Sequence, residues 1–201
     1  MRWLEEALWC FEDRPDERLE RAAAGLMAAA GRGGEAERIL WRVFERSPSL
    51  AAYRELAALT SEASPEGRAT AILESAAERA HRPGPHFNVP AQTLFDLQMA
   101  AEAHDAAWRT ATRWGVGEHR LRSLADRTCE THRDRAVHTY EFLAESRIVA
   151  GGAGNYDDAI KLLGLRAHAC ADAANQAAYL DGLRLRHKAK RTFVQRLQTL
   201  G

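Results

Sequence analysis

The sequence is poor in the residues that build strands and disulfides. It contains only three cysteines among 201 residues, Cys10, Cys129 and Cys170, and they lie far apart. An odd number of scattered cysteines argues against a disulfide framework and predicts a reducing compartment. Valine and threonine are sparse whereas alanine is abundant, and this balance favours helix because β-branched side chains lose rotamer freedom there.

An excess of one charge and long apolar runs are also missing. The 28 Lys and Arg residues balance 28 Asp and Glu residues, so no overall field attracts the chain to nucleic acid or to a membrane. No apolar run approaches the roughly 20 residues that span a bilayer, and Glu5 and Glu6 lie where a signal peptide has its apolar core. We therefore expect a soluble cytoplasmic protein. Only Lys161, Lys188 and Lys190 are lysines among the 28 basic residues, a bias typical of GC-rich bacterial genomes.

Apolar residues recur at helical spacing along nearly the whole chain, and no segment of strand length alternates. Three of the predicted apolar faces consist of Trp3, Leu4, Ala7, Leu8 and Phe11; of Ala36, Ile39, Leu40, Val43 and Phe44; and of Ala136, Val137, Tyr140, Leu143, Ala144 and Ile148. Ser47 and Ser64 each precede a proline, as an N-cap precedes the first helical residue. We predict an all-α fold of about eleven helices, with antiparallel hairpins stacked as a tetratricopeptide-like α-solenoid.

The segment HRPGPHFNVP at 81–90 is the one long interruption. Its three prolines and one glycine are incompatible with a helix, because proline lacks the amide donor and restricts the preceding residue. Two interpretations remain open: a loop packed by Phe87 and Val89, or a seam between two halves. We predict a single helical-repeat domain over 1–201, in which 82–90 is the candidate seam between an N-terminal and a C-terminal half.

Glycine-rich turns account for two further interruptions. The glycines at 31–34 and 151–154 each precede a predicted helix, but neither follows a strand or continues into Gly-Lys-Ser/Thr, as a phosphate-binding loop does. We interpret both as helix stops. Asn155 is the predicted N-cap of the helix that follows the second turn.

The segment 136–167 is similar to a tetratricopeptide repeat. It has Tyr140 and Ala144 in its first helix, a glycine-bearing turn, and the small residue Ala159 in its second helix. A small residue at that position allows two helix backbones to approach closely. The Trp-Leu-Gly signature of the repeat is absent.

Three other segments share a more specific pattern: SPSLAAYRELAAL (47–59), YDDAIKLLGLR (156–166) and AAYLDGLRLRHKAKRTFVQRL (177–197). Together they resemble the C-terminal helical region of bacterial SWIM zinc-finger proteins and related uncharacterised bacterial helical domains. The zinc module of that family needs a Cys-x-Cys pair followed by Cys-x-His, and the sequence contains neither pair. The resemblance therefore implies a helical-repeat domain without the zinc module, and it transfers neither zinc binding nor DNA binding.

No other arrangement of residues indicates catalysis or metal binding. Cys129 and His132 lie three apart and His168 and Cys170 lie two apart, whereas a zinc site needs about four ligands. The eight histidines are scattered, and no Gly-x-Ser-x-Gly elbow is present. We interpret the cysteines as small buried apolar residues and expect no catalytic site, no metal and no cofactor.

The densest positive charge lies near the end of the sequence. Residues 181–201 contain six Lys and Arg residues and one Asp, a balance of +5, which leaves −5 for residues 1–180. Arg184, Lys188 and Arg191 share one side of a helix predicted over 174–200, and Lys190 adjoins them. These four residues, the basic cluster, fit three interpretations: a solvated last helix, a surface for an acidic protein partner, or a surface for nucleic-acid phosphates.

The predicted function is a non-catalytic scaffold whose groove binds a peptide or a protein partner, because solenoids present such grooves. The alternative is a nucleic-acid-associated accessory protein that uses the basic cluster. Trp9, Trp41, Trp108 and Trp114 are the candidate anchors for a partner, since tryptophan is enriched at binding hot spots. For most of these four tryptophans, packing in the core is the expected alternative to partner binding.

Overall fold

The structure of the protein is a computed structural model, which describes Glu6, Trp9 and residues 16–60, 65–82 and 88–200. Several sequence predictions lie outside the described residues. They concern the N-terminal stripe Trp3, Leu4, Ala7, Leu8 and Phe11, and also Cys10, Ser64 and Phe87.

Residues 16–60, 65–82 and 88–200 form eleven α-helices and no strand. They are α1 (Glu17–Ala29), α2 (Gly33–Arg46), α3 (Leu50–Leu59), α4 (Pro65–Ala80), α5 (Val89–Ala100), α6 (His104–Trp114), α7 (Glu118–Thr128), α8 (Arg133–Ala150), α9 (Ala153–Cys170), α10 (Ala173–Arg186) and α11 (Arg191–Leu197). A short 3-10 helix, Gln198–Leu200, follows α11. The all-α class is confirmed, and the solenoid arrangement stays a prediction. None of the described helices combines the length and apolar character that crossing a bilayer requires.

Two predicted helix starts are wrong by a few residues. The N-cap of α3 is Ser49 rather than Ser47, because the Ser49 hydroxyl accepts a hydrogen bond from the Ala52 amide at 3.1 Å. Helix α9 begins at Ala153 rather than after Asn155. The side chain of Asn155 donates instead to the Gly151 carbonyl at 2.6 Å, which stabilises the turn before the helix.

Contacts between helices divide the chain into two compact units, Met1–Val116 (unit 1) and Gly117–Gly201 (unit 2). In unit 1, helices that follow each other pack together: α1 on α2, α2 on α3, α4 on α5 and α5 on α6. In unit 2, α8 packs on α7 and α9, and α10 and α11 pack on α9. Helices α4 and α5, on either side of the predicted seam at 82–90, belong to the same unit. The assignment of 1–201 to a single domain stays a prediction.

The core of unit 1 is built around α2. The predicted face of this helix is buried as expected, since all five of its apolar residues are at most 5% exposed. Around them the core contains Ala23, Ala24, Met27, Trp41, Ala52, Leu56, Ala69, Leu73, Leu94 and Leu97. The opposite face of α2 is charged, so this helix has one side in the core and one side in solvent.

The core of unit 2 is built around α8 and α9. The predicted α8 stripe is buried, with Val137 only partly so. The hydroxyl of Tyr140 donates to Asp126 of α7 at 2.7 Å. Phe193 of α11 is fully buried, and its ring lies 5.7 Å from that of Tyr156 on α9. The short helix α11 is therefore part of this core.

The turn between α8 and α9 requires glycine, which leads to a stability prediction. Gly151 has φ +73°, a backbone region that L side chains rarely adopt, whereas Gly164 lies within α9 with open space around its Cα. We expect Gly151→Ala to lower the free energy of unfolding by about 1 to 2 kcal/mol. The matched change Gly164→Ala is expected to raise it by about 0.5 to 1 kcal/mol, because alanine favours helix. Urea unfolding followed by circular dichroism measures both, and equal effects of the two changes would contradict this account of the turn.

Candidate partner-binding site

A pocket of about 570 Å³ opens on the surface of unit 1. Helix α2 forms most of its wall, and α1 and α4 contribute one residue each. Its described lining consists of Met27, Glu35, Arg38, Ile39, Trp41, Arg42, Glu45 and Arg68. The apolar residues among these are buried, and the arginines are exposed. The pocket therefore has an apolar floor and a charged rim.

The helical repeat of α2 explains this arrangement. Residues that are three or four apart lie on the same side of a helix, so Glu35, Arg38, Arg42 and Glu45 form one charged row. Ile39 projects from the boundary of the core stripe into the floor of the pocket. The same amphipathic pattern that buries one side of α2 thus supplies the charged side chains of the pocket.

Two of the charged side chains on the rim are already neutralised. Glu35 receives two hydrogen bonds from the guanidinium of Arg32, at 2.6 and 2.5 Å, and these bonds hold the pKa of Glu35 below its usual value. Glu45 lies 3.4 Å from the guanidinium of Arg68. Each acidic side chain of the rim is therefore accompanied by an arginine.

Arg38 and Arg42 remain as the positive surplus of the pocket. Arg38 donates from Nε to the Gly34 carbonyl at 3.3 Å and forms no ion pair, although its charge helps to lower the pKa of Glu35, the carboxylate that Arg32 binds. Arg42 is exposed and forms no hydrogen bond or ion pair within the part of the chain that the structure describes. The pocket can therefore bind an anionic group at the row of α2.

Trp41 lies beneath this row and has an unused hydrogen-bond donor. Its side chain is only 3% exposed, and its indole N–H has no acceptor among the described residues. The ring is fixed by the edge of Phe44, with centroids 6.1 Å apart, and by the Arg68 guanidinium, 4.0 Å from the ring centroid. A buried donor without an acceptor is unfavourable, so a ligand oxygen at this position would be stabilised.

The four candidate tryptophans have different environments. Trp9 has a helical backbone and is 74% exposed, as an anchor for a partner would be. Trp41 is buried at the pocket, and Trp108 is buried as well. Trp114 packs on the core of unit 1, and its indole N–H donates to Glu78 at 3.3 Å. The structure therefore places Trp9 in solvent and Trp41 at the pocket.

The helix predicted over 174–200 is wrong, because the structure has two helices there. Helix α10 ends at Arg186, a turn follows, and α11 begins at Arg191. The break allows Phe193 to be buried. Arg184 and Arg191 consequently lie on different helices and do not form one continuous stripe.

The four residues of the basic cluster differ in their contacts. Lys190 donates to the carbonyls of Ile148 and Val149, at 2.5 and 3.2 Å, where α8 ends. These carbonyls lack partners within the helix, and a cation is favoured at this end of the helix dipole. Arg184 pairs with Asp181 at 2.6 Å. Lys188 and Arg191 are exposed.

Unit 2 also contains a buried arginine that sequence reasoning missed. Arg166 of α9 is 2% exposed and donates to Glu141, Asn175 and Gln176 at 2.8, 2.7 and 2.5 Å. Its guanidinium also lies 4.2 Å from the ring centroid of Tyr179. Because its donors are matched by acceptors on α8 and α10, Arg166 joins three helices.

The cysteines are less buried than predicted. Cys129 and Cys170 are free thiols with partly exposed side chains, so the prediction of buried apolar residues is wrong for both. Each occupies a helix end, where its sulfur contacts an oxygen: the Asp126 carbonyl at 3.6 Å and the Asn175 side chain at 3.4 Å. No group of three or more His, Cys, Asp or Glu residues that could hold a metal occurs in the described ranges.

Neither the models of known protein families nor the curated proteins contain a match for this chain. The resemblance to the helical region of SWIM zinc-finger proteins therefore stays a prediction.

The pocket arginines were not recognised in the sequence, although one signal was available. Arg38 and Arg42 are spaced by four residues on the side of α2 opposite to its core stripe. This spacing is also typical of a solvated helix face, and the sequence does not show that Arg68 of α4 and Trp41 lie beside them. The pocket depends on packing between helices that are distant in sequence.

The contacts of Lys190 predict that it stabilises the fold of unit 2. We expect Lys190→Met to lower the free energy of unfolding by about 1 to 2 kcal/mol, because two terminal carbonyls of α8 lose a charged donor. The neighbouring change Lys188→Met removes the same charge from an exposed side chain and is expected to change stability by less than about 0.5 kcal/mol. Urea unfolding followed by circular dichroism compares the two variants. Equal stabilities would show that the Lys190 contacts contribute nothing.

Replacing either of two tyrosines of unit 2 by phenylalanine is expected to change the free energy of unfolding, in opposite directions for the two positions. The Tyr179 hydroxyl is buried without a partner among the described residues, so Tyr179→Phe is expected to raise the free energy of unfolding by about 1 kcal/mol. Tyr140→Phe removes the bond to Asp126 and is expected to lower it by about 1 kcal/mol. Thermal unfolding of both variants tests the signs, and a loss of stability in Tyr179→Phe would contradict the assignment.

The pH dependence of Tyr179 supplies a second readout. Burial raises the pKa of Tyr179 to about 12 from its usual 10.0. Between these values the unfolded chain loses the proton while the folded chain keeps it, so Tyr179 makes stability fall as the pH rises. We expect the free energy of unfolding of the Tyr179→Phe variant to fall less steeply with pH between pH 10 and about 12 than that of the unmodified chain. Equal slopes for the two proteins would contradict the buried position of the hydroxyl.

Proposed function

We propose that the protein is a non-catalytic scaffold of stacked helical hairpins, of the tetratricopeptide type, that binds a peptide segment of a protein partner. The pocket of unit 1 is the observation that carries this proposal. Its volume of about 570 Å³ accommodates several side chains, and its floor and rim offer both apolar contact and charge. Mixed surfaces of this kind are typical of sites for a polypeptide.

The contacts within the basic cluster support the peptide proposal over the nucleic-acid alternative. Lys190 is engaged by the carbonyls of α8, and Arg184 is paired with Asp181. Two exposed cations, Lys188 and Arg191, remain available to phosphates at that surface. Two phosphate contacts give only weak binding.

Selection of peptides from a random display library, with the full chain as bait, tests the proposal. The change Glu45→Trp places a large side chain at the mouth of the pocket and keeps all three arginines of the rim. We expect selected peptides to bind this variant at least about tenfold more weakly, because a blocked pocket loses its central contacts. The matched control is Glu55→Trp, which also replaces an exposed, ion-paired glutamate on a helix of unit 1 outside the pocket.

Three results would contradict the proposal. In the first, the selection enriches no peptide. In the second, the selected peptides bind both tryptophan variants as tightly as the unmodified chain. In the third, the selected peptides lose binding only when Lys188 and Arg191 are changed to alanine. The last result would assign partner binding to the basic cluster.

A further inference from the structure

We infer that the pocket of unit 1 binds an extended acidic segment in which two carboxylate side chains occupy alternate positions, separated by one residue. This inference rests on the proposed function and specifies the chemistry of the partner. It follows from the surplus charge of the pocket, the spacing of its two uncompensated arginines and the unused donor beneath them.

The charge of the rim determines the charge of a complementary ligand. Glu35 is bonded by Arg32, and Glu45 is accompanied by Arg68, so these two pairs contribute little net charge. Neither Arg38 nor Arg42 forms an ion pair within the described ranges, although the charge of Arg38 also acts on the Glu35 carboxylate that Arg32 already binds. No other surplus charge lies on the described rim. A ligand that complements the pocket therefore carries two negative groups. Carboxylates suit this role because each accepts two parallel hydrogen bonds from a guanidinium.

The helix sets the distance between these two groups. Arg38 and Arg42 are four residues apart on α2, which separates them by about 6 Å along the helix axis. In an extended peptide, side chains at alternate positions point to the same side and are about 6.6 Å apart. Carboxylates at adjacent positions point to opposite sides instead. Within an extended segment, the spacing of the two arginines therefore matches the pattern acidic–x–acidic and not two adjacent acidic residues.

The indole of Trp41 fits the backbone of such a segment. Its N–H has no acceptor among the described residues, and a carbonyl of an extended peptide lying over α2 supplies one. Arg68 lies over the ring, but its side chain is 44% exposed, and its ion pair with Glu45 is long, at 3.4 Å. A shift of this single exposed side chain gives the peptide access to the indole.

The charge of unit 1 favours a peptide over a nucleic acid. Residues 1–116 contain 14 Arg against 18 Asp and Glu, a balance of −4. A polyphosphate chain that extends beyond the two arginines gains no net attraction from a unit whose overall charge is negative, because charges interact over about 10 Å at 0.1 M salt. A segment with two carboxylates forms its attractive contacts within the pocket and adds few further charges.

Three fluorescein-labelled peptides of otherwise equal sequence test the spacing. One contains Glu-Val-Glu, the second contains Glu-Glu-Val with the same composition, and the third contains Gln-Val-Gln. Fluorescence anisotropy with the full chain at about 0.1 M salt measures their affinities. We expect Glu-Val-Glu to bind best and each of the other two to bind about tenfold more weakly, because each loses at least one charged hydrogen-bonded pair.

Variants of the chain test the residues. Arg38→Gln and Arg42→Gln combined are expected to weaken Glu-Val-Glu binding at least about tenfold while keeping the helix, because glutamine is a good helix former. The control is Arg54→Gln with Arg109→Gln, which removes the same charge from exposed positions of unit 1 outside the pocket. This control is expected to retain the affinity of the unmodified chain.

Each other outcome overturns the inference. Equal binding of Glu-Val-Glu and Glu-Glu-Val refutes the spacing, and equal losses in the two double variants refute the residues. Stronger binding of a single-stranded oligonucleotide than of Glu-Val-Glu assigns the pocket to nucleic acid. If library selection instead yields non-acidic peptides that Glu45→Trp excludes, the inference fails and the proposed function stands. If no peptide binds at all, both fail.

Discussion

Close packing of alanine faces is the constraint on which both units depend. Alanines with no exposed surface occur in most of the described helices, and helices that follow each other in the chain pack together. These alanines are Ala23, Ala36, Ala69, Ala77, Ala91, Ala107, Ala125, Ala136, Ala144 and Ala159. A methyl group lets two helix backbones approach closely, and a larger side chain there would force them apart.

The sequence was sufficient to predict the fold class and most of the core. Apolar spacing is a local property, and the stripes of α2 and α8 are buried as their spacing predicts. The end of α10 was not predictable in this way. The break at 187–190 depends on the carbonyls of Ile148 and Val149, which lie about forty residues earlier in the chain and attract Lys190. Helix propensity alone favours continuation through this segment, and tertiary contacts override it.

The candidate site was less accessible to sequence reasoning than the core. A tryptophan in the apolar stripe of a helix is either a core residue or an anchor for a partner. Trp41 has a buried ring, as a core residue does, and an available hydrogen-bond donor, as an anchor does. Its ring is packed against Phe44, while its N–H is left without an acceptor. The arginines of α2 have the spacing of an ordinary solvated face, so only their position beside Arg68 distinguishes them. The density of positive charge instead favoured the basic cluster as the candidate site. Two of its four cations, Lys190 and Arg184, form contacts within unit 2.

The contact between Lys190 and the end of α8 also has a consequence for synthesis on the ribosome. Helices α8 and α9 can pair as soon as both have emerged, because they follow each other in the chain. The carbonyls of Ile148 and Val149 and the ring of Tyr156 then lack their partners, Lys190 and Phe193, until about forty further residues have been translated. Unit 2 therefore passes through a nascent form with an uncapped helix end and an uncovered aromatic ring. The helices of unit 1 find their partners before this stage is reached.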